Sequence, residues 1–325
     1  MIEVQHLTKC YGDHAAVDDI SFTIENGKIY GFLGPNGAGK STTMNILTGC
    51  LAATSGEVTV GGFDIFEDPE EAKKQIGFLP EIPPVYPEST IREYLTFVAR
   101  AKGVPESEIK EETARVMKAT KITHYENRLI KNLSKGYKQR VGIAQALLGS
   151  PEFIILDEPT VGLDPQQIIE IRDLIRSLKG RHTVILSSHI LSEVQAVCEE
   201  ILIINKGKLV ANDTAENLEK LFAGKVKVAL RMEADEAAAK KLLSAVPLVS
   251  SVKTSKESDT VISAEVSSES EDDTALCRGI FNAAADHGTP ILQMVTTKAS
   301  LEDIFIELTN IKEPEAAPEE EVKHK

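Results

Sequence analysis

The chain has 325 residues, 42% of them hydrophobic and 26% charged, with 36 Lys plus Arg against 50 Asp plus Glu and a formal net charge of -14. That length predicts two domains, and the ordinary apolar fraction excludes disorder throughout. The negative balance argues against a protein whose main business is wrapping nucleic acid, because Lys and Arg contacts to phosphate dominate that affinity, and no nucleic-acid partner is expected, although local basic patches stay open.

The N-terminus lacks the charged leader and apolar core of a signal peptide, and no apolar run approaches the roughly 20 residues of a membrane helix. Cys10, Cys50, Cys198 and Cys277 lie far apart with no C-x-x-C pair, which reads as free thiols in a reducing compartment.

In chain order, Val17 to Glu25 and Lys28 to Leu33 read as strands, and Lys40 to Gly49 as a helix ending in Gly. Glu57 to Val60 and Gln75 to Leu79 follow as strands. Pro80 to Pro87 must be a loop, since proline lacks the amide donor that helix and sheet interiors use. Residues 90 to 121 carry helical periodicity, with Ile91, Tyr94, Leu95 and Val98 on one face and Thr90 placed to cap through Glu93. A helical insertion over about residues 88 to 135 is therefore expected within a first domain of residues 1 to 215.

Strands return at Phe153 to Leu156, Thr183 to Ser187 and Ile201 to Asn205, each separated by a helix, a pattern that predicts a mainly parallel α/β sheet. From residue 222 to 310 a second series reads β-α-β-β-α-β-α, predicting a smaller ferredoxin-like α+β accessory domain whose closing helix spans Leu301 to Asn310. Residues 312 to 325, rich in Glu, Pro and Lys, are expected to be a disordered acidic tail.

Gly34, Pro35, Asn36, Gly37, Ala38, Gly39, Lys40 and Ser41 satisfy G-x-x-x-x-G-K-[ST] between a predicted strand and a predicted helix, the context that confirms a phosphate-binding loop. Its backbone amides would converge on phosphate oxygens at a helix N-terminus, with Thr42 continuing the contact. Lys40 is expected to reach the β and γ phosphates of ATP, and Ser41 to bind Mg²⁺. The run Phe153 to Leu156 emerges into Asp157 and Glu158, where Asp157 would hold Mg²⁺ through water and Glu158 would orient and deprotonate the attacking water.

With these in place, Leu133-Ser134-Lys135-Gly136-Tyr137-Lys138-Gln139-Arg140 resembles the signature motif of ABC ATPases, and Gly162-Leu163-Asp164 and His189 resemble the family's D-loop and switch histidine. The resemblance covers residues 1 to about 215. It implies a P-loop NTPase of the ABC type in which two nucleotide domains, as a homodimer or with a paired subunit, meet head to tail around ATP. Ser134 and Gly136 would then bond the γ phosphate held by the opposite subunit, His189 would sense its own, Asp164 would couple the two sites, and Tyr11 would stack on adenine.

Lys135 and Tyr137 depart from the commonest signature, and Glu81 stands where the family's coupling loop usually has Gln. Both variants resemble the drug-resistance, sodium-export and gliding-motility branch. Glu81 keeps an oxygen able to approach Mg²⁺ or water. The resemblance implies the ATPase subunit of a bacterial exporter, peripheral on the cytoplasmic face of the plasma membrane and served by a separate integral-membrane permease of the ABC-2 type. The rival reading is an ABC ATPase acting on DNA or ribosomes, whose usual coiled-coil insertion, zinc motifs or second nucleotide domain are missing from the sequence.

Overall fold

The first strand, β1 (Ile2–Tyr11), buries Ile2, Val4 and Leu7 and pairs antiparallel with both β2 (His14–Ile24) and β4 (Ser55–Val60). The computed structural model describes residues 1–222, 226–258, 260–268, 270, 272–298 and 305–306, in two units, Met1–Ala215 and Glu216–Lys325.

In the first unit, β3 (Ile29–Leu33) leads into α1 (Lys40–Leu47), and the short β5 (Phe63–Asp64) and α2 (Pro69–Lys74) precede β6 (Ile76–Leu79). The insertion holds α3 (Ile91–Ala101) and α4 (Ile109–Ala119), followed by α5 (Lys135–Leu147). Thereafter come β7 (Phe153–Leu156), α6 (Pro165–Leu178), β8 (Thr183–Ser188), α7 (Leu191–Val197), β9 (Glu200–Asn205) and β10 (Lys208–Thr214), and α8 (Ala215–Phe222) begins at the last residue of this unit and runs on into the second.

A six-stranded sheet runs β10-β9-β3-β8-β7-β6, parallel except for the antiparallel β10 hairpin. A separate four-stranded sheet, β2-β1-β4-β5, is antiparallel throughout. The expected mainly parallel sheet is present, but the segments read at Val17 to Glu25 and Glu57 to Val60 belong to the antiparallel sheet, where β2 returns on β1 through the tight turn at Gly12 and Asp13 and β4 pairs with the other side of β1.

The main core lies where Tyr30, Phe32, Phe153, Ile155, Ile185, Leu202 and Ile204 of the parallel sheet meet Met44, Ile46 and Leu47 of α1 and the apolar face of the antiparallel sheet. Each such fully buried side chain contributes about 1.5 to 3 kcal/mol of transfer free energy. Since β3, β7 and β8 run parallel with Leu33 beside Ser188 and Leu156 beside Leu186, their C-terminal ends open on one edge of the sheet.

Thr90 caps α3 as expected, accepting from the Glu93 amide while Glu93 returns a carboxylate to the Thr90 amide, a reciprocal box whose cap is worth about 1 kcal/mol. The predicted continuous periodicity over 90 to 121 is broken into α3 and α4 around Gly103-Val104-Pro105, where proline ends helical pairing.

The second unit contains β11 (Val226–Glu233), α9 (Glu236–Ser244), β12 (Val249–Lys256), β13 (Val261–Ser268), α10 (Asp273–Asp286) and β14 (Ile291–Lys298). Its sheet runs β12-β13-β11-β14, every pair antiparallel. Strict alternation on β11 turns Val226, Val228, Leu230 and Met232 onto Ala239 and Leu243 of α9 and Leu276 and Ile280 of α10. Most of the expected helix Leu301 to Asn310 and the whole tail 312 to 325 lie outside the described residues. Among the described residues, no helix is long and apolar enough to cross a membrane.

Candidate nucleotide site

The segment from Gly34 to Gly39 turns the end of β3 into the start of α1. Gly39 is the N-cap, with φ 107° in a region closed to side-chain-bearing residues. A Cβ there would stand 2.4 Å from the Ala16 carbonyl oxygen, so the loop passes too close to β2 for any other residue. Amides of the first helical turn have no partner within the helix and carry its partial positive charge. The buried Lys40 turns back across this turn, its Nζ donating to Gly34 O at 2.8 Å and Pro35 O at 3.2 Å, and lying 3.4 Å from Glu158 Oε1.

The acidic pair meets this loop from β7. Asp157 Oδ1 accepts from Ser41 Oγ at 3.2 Å and from Ser187 Oγ at 2.5 Å, joining the ends of β7, α1 and β8. Glu158 sits in the left-handed region at φ 47°, a strain of about 1 to 3 kcal/mol that its surroundings must hold. Part of that hold is the Glu158 amide donating to Ser187 Oγ at 2.8 Å. Its carboxylate faces His189, with Oε2 2.9 Å from Nδ1. Ser41 and Asp157 thus present neighbouring hard oxygens, the donor set that suits a Mg²⁺ completed by phosphate oxygens and water.

A cavity of about 580 Å³, within the range of small-ligand sites, is lined by Tyr11, Asn36, Gly37, Gly39, Lys40, Ser41, Thr42, Glu81, Glu158 and His189. Of the expected loop residues, Gly34, Pro35 and Ala38 do not line it. Asp157 lies behind Ser41. Tyr11 is half exposed, with Lys9 Nζ 5.3 Å from its ring centre. His14, Ala16 and Val161 complete the lining and were not expected from sequence. His14 and Ala16 arrive through the β2 pairing, which no local pattern announces.

Ser134, Gly136 and Asp164 do not line this cavity. Ser134 is the N-cap of α5, accepting from the Tyr137 amide, and Asp164 is the N-cap of α6, accepting from the Gln167 amide at 2.9 Å. These two helix starts are held together: a Cβ on Gly136 would stand 2.6 Å from Gln167 Cδ, and one on Gly162 2.2 Å from Lys135 Nζ. Farther along, the buried Arg140 pairs with Glu170 at 2.5 Å and donates to Thr120 O at 3.0 Å. The start of α5 and the loop carrying Asp164 therefore form one packed feature.

The sequence pattern of the ABC transporter family matches residues 17–161. The bacitracin transport ATP-binding protein of Bacillus licheniformis is 41% identical over 222 residues, which are 68% of this chain and 72% of that protein. A lantibiotic transport ATP-binding protein of Streptococcus pyogenes is 40% identical over 233 residues, 70% of this chain and 97% of that one. Among solved structures, a dimeric ATP-binding cassette in a post-hydrolysis state with ADP and Pi covers 66% of this chain and 98% of its own, at TM-score 0.60 and 26% identity. Phosphate loop, acidic strand end and histidine converge on one cavity in a chain with these likenesses, and the chain belongs to the ATP-binding subunits of ABC transporters, with the activity of an ABC transporter ATPase.

Proposed function

We propose that the chain hydrolyses Mg-ATP between two nucleotide domains arranged head to tail, and so drives export through a separate permease. The observation that carries this is the division of the motif residues. Lys40, Ser41, Glu158 and His189 share one cavity, whereas Ser134, Gly136 and Asp164 sit apart on helix starts that a second subunit could bring to it. In this reading Lys40 neutralises phosphate charge, the first-turn amides from Lys40 to Thr42 hold phosphate oxygens, and Tyr11 stacks on adenine.

Ser41 and Asp157 hold Mg²⁺, with Glu81 approaching it or the attacking water. When bound, the cation supplies charge to stabilise the transferring phosphoryl oxygens. Glu158 takes the proton of the water, and His189, at 2.9 Å, keeps that carboxylate oriented.

The permease surface falls beside Glu81. Ile82 is 81% exposed, and Tyr86 and Phe97, with ring centres 5.4 Å apart, continue an exposed apolar patch on the insertion. Such a patch next to a cavity-lining residue supports docking of an integral-membrane subunit of the ABC-2 type, which would place the chain on the cytoplasmic face of a bacterial membrane. The strand order of the second unit supports a ferredoxin-like accessory domain that favours dimerisation without catalytic residues. Peptide antibiotics, named for the relatives, are the first cargo to test.

The Glu158→Gln variant tests the site. It should bind ATP, accumulate an ATP-dependent dimer on a sizing column and lose multiple-turnover hydrolysis. A variant that remains monomeric at saturating Mg-ATP, or that still turns over, overturns the reading.

A further inference from the structure

Behind the cavity lies a buried carboxylate to which the proposed hydrolysis gives no role. Glu193, near the start of α7, is 5% exposed. Its Oε2 accepts two hydroxyls, Thr160 Oγ1 at 2.5 Å and Ser188 Oγ at 3.1 Å. Among the described residues the cation paired with it is Arg172, 3.9 Å from Oε1, and the buried Arg172 Nε has no hydrogen-bond partner there. A buried polar side chain needs hydrogen-bond partners, and with its cation so distant these two hydroxyls are what hold it. Thr160 stands two residues after the strained Glu158, and Ser188 immediately precedes His189 while its Oγ accepts the Ile190 amide at 3.0 Å.

We infer that Glu193 is a positioning residue for hydrolysis: by tying Thr160 to Ser188 it fixes the separation between Glu158 and His189. The inference rests on the proposed roles of those two residues. One carboxylate oxygen spans the turn after β7 and the end of β8, so movement of either loop strains its bonds. Ser187 secures the same pair from the other side, through the Asp157 carboxylate and the Glu158 amide. With that clamp loosened, the left-handed backbone of Glu158 can relax and carry its carboxylate off His189. Misplacement of a reacting group by about 1 Å costs up to about a hundredfold in rate. The phosphate loop touches neither Thr160 nor Glu193 through any hydrogen bond among the described residues, so nucleotide affinity should be spared.

The test is Glu193→Met in the full chain, which removes the shared acceptor oxygen at nearly the same side-chain volume, with Thr160→Val as a milder variant that removes a single donor. Wild type is assayed alongside: absence of its own Mg-ATP hydrolysis would defeat the site reading, a different failure from equal turnover in wild type and variants. The expected result is a fall in kcat of about tenfold or more in Glu193→Met and a smaller fall in Thr160→Val, both with unchanged KM for ATP. In a His189→Ala background, Glu193→Met should cost little further, because the residue acts through that pair. Independent, multiplicative losses in that background, a rise in KM matching the fall in kcat, or full turnover by both folded variants would each overturn the inference.

Discussion

Two glycines of the phosphate loop separate steric exclusion from simple backbone preference. In Gly39→Ala the new methyl would stand 2.4 Å from Ala16 O and 3.3 Å from Ile204 Cδ1, at φ 107°. The oxygen belongs to the backbone of a paired strand and cannot swing aside as a side-chain tip would. Strain at that φ costs about 2 to 3 kcal/mol, and the overlap adds about 1 to 3 kcal/mol. Binding phosphate requires the loop to return to this geometry, so a penalty of at least about 3 kcal/mol should weaken ATP binding by about a hundredfold or more. In Gly37→Ala, φ is 80° and a Cβ would meet nothing within 4 Å. That leaves strain alone, about 1 kcal/mol and roughly fivefold in affinity. Titration with a fluorescent ATP analogue, alongside circular dichroism to establish that both variants are folded, measures the contrast. Equal losses in the two folded variants would refute the argument that contact with β2 shapes the loop.

A chain ending after Leu221 should fold and bind ATP like the full chain, since every nucleotide motif lies upstream; a folded truncation without ATP binding in the same titration would refute that domain assignment. For Lys102, burial of the ammonium, which donates to Ala146 O and Leu148 O at the end of α5, pushes its pKa down from 10.5 to about 8. The folded side chain therefore binds fewer protons than the unfolded one between those pH values, so its penalty is full below about pH 8 and is released as pH rises toward 10.5. Wild type should accordingly gain stability relative to Lys102→Met over that window in urea titrations, by a modest amount because the residue as a whole is exposed and screened; a pH-independent difference would contradict it.

The parts of the fold legible in the sequence are those whose cause is local. Phe153 to Leu156 is a solid apolar run because β7 is covered on both faces, and the Thr90 to Glu93 box is written in four consecutive residues. By contrast, β1 escapes a period-two reading because His6, at φ 49°, interrupts the strand and Leu7 follows Val4 out of step, with irregular register between them. The break between α3 and α4 was written in Gly103 and Pro105, but the apolar spacing on either side bridges it. Parallel order itself is not a local property. It emerges from pairings such as Leu33 with Ser188, set by the packing of several crossovers on one sheet.

The candidate site divides along the same line. Lys40, Ser41, Asp157 and Glu158 could be named because phosphate chemistry demands those residue types at fixed spacing from a strand end. Glu193 could not, since one acidic residue in the first turn of a short helix reads as an ordinary solvated or dipole-favourable position. Its burial arises only because Thr160, 33 residues away, and Ser188 close over it. The one local signal was the Ser187-Ser188 pair before His189: hydroxyls at the end of a buried strand need partners, and here those partners are the two carboxylates, Asp157 and Glu193. The residues proposed to meet phosphate and Mg²⁺ are thus set by short-range chemistry, and the residues that hold them at working distance are set by which strand ends the sheet brings together.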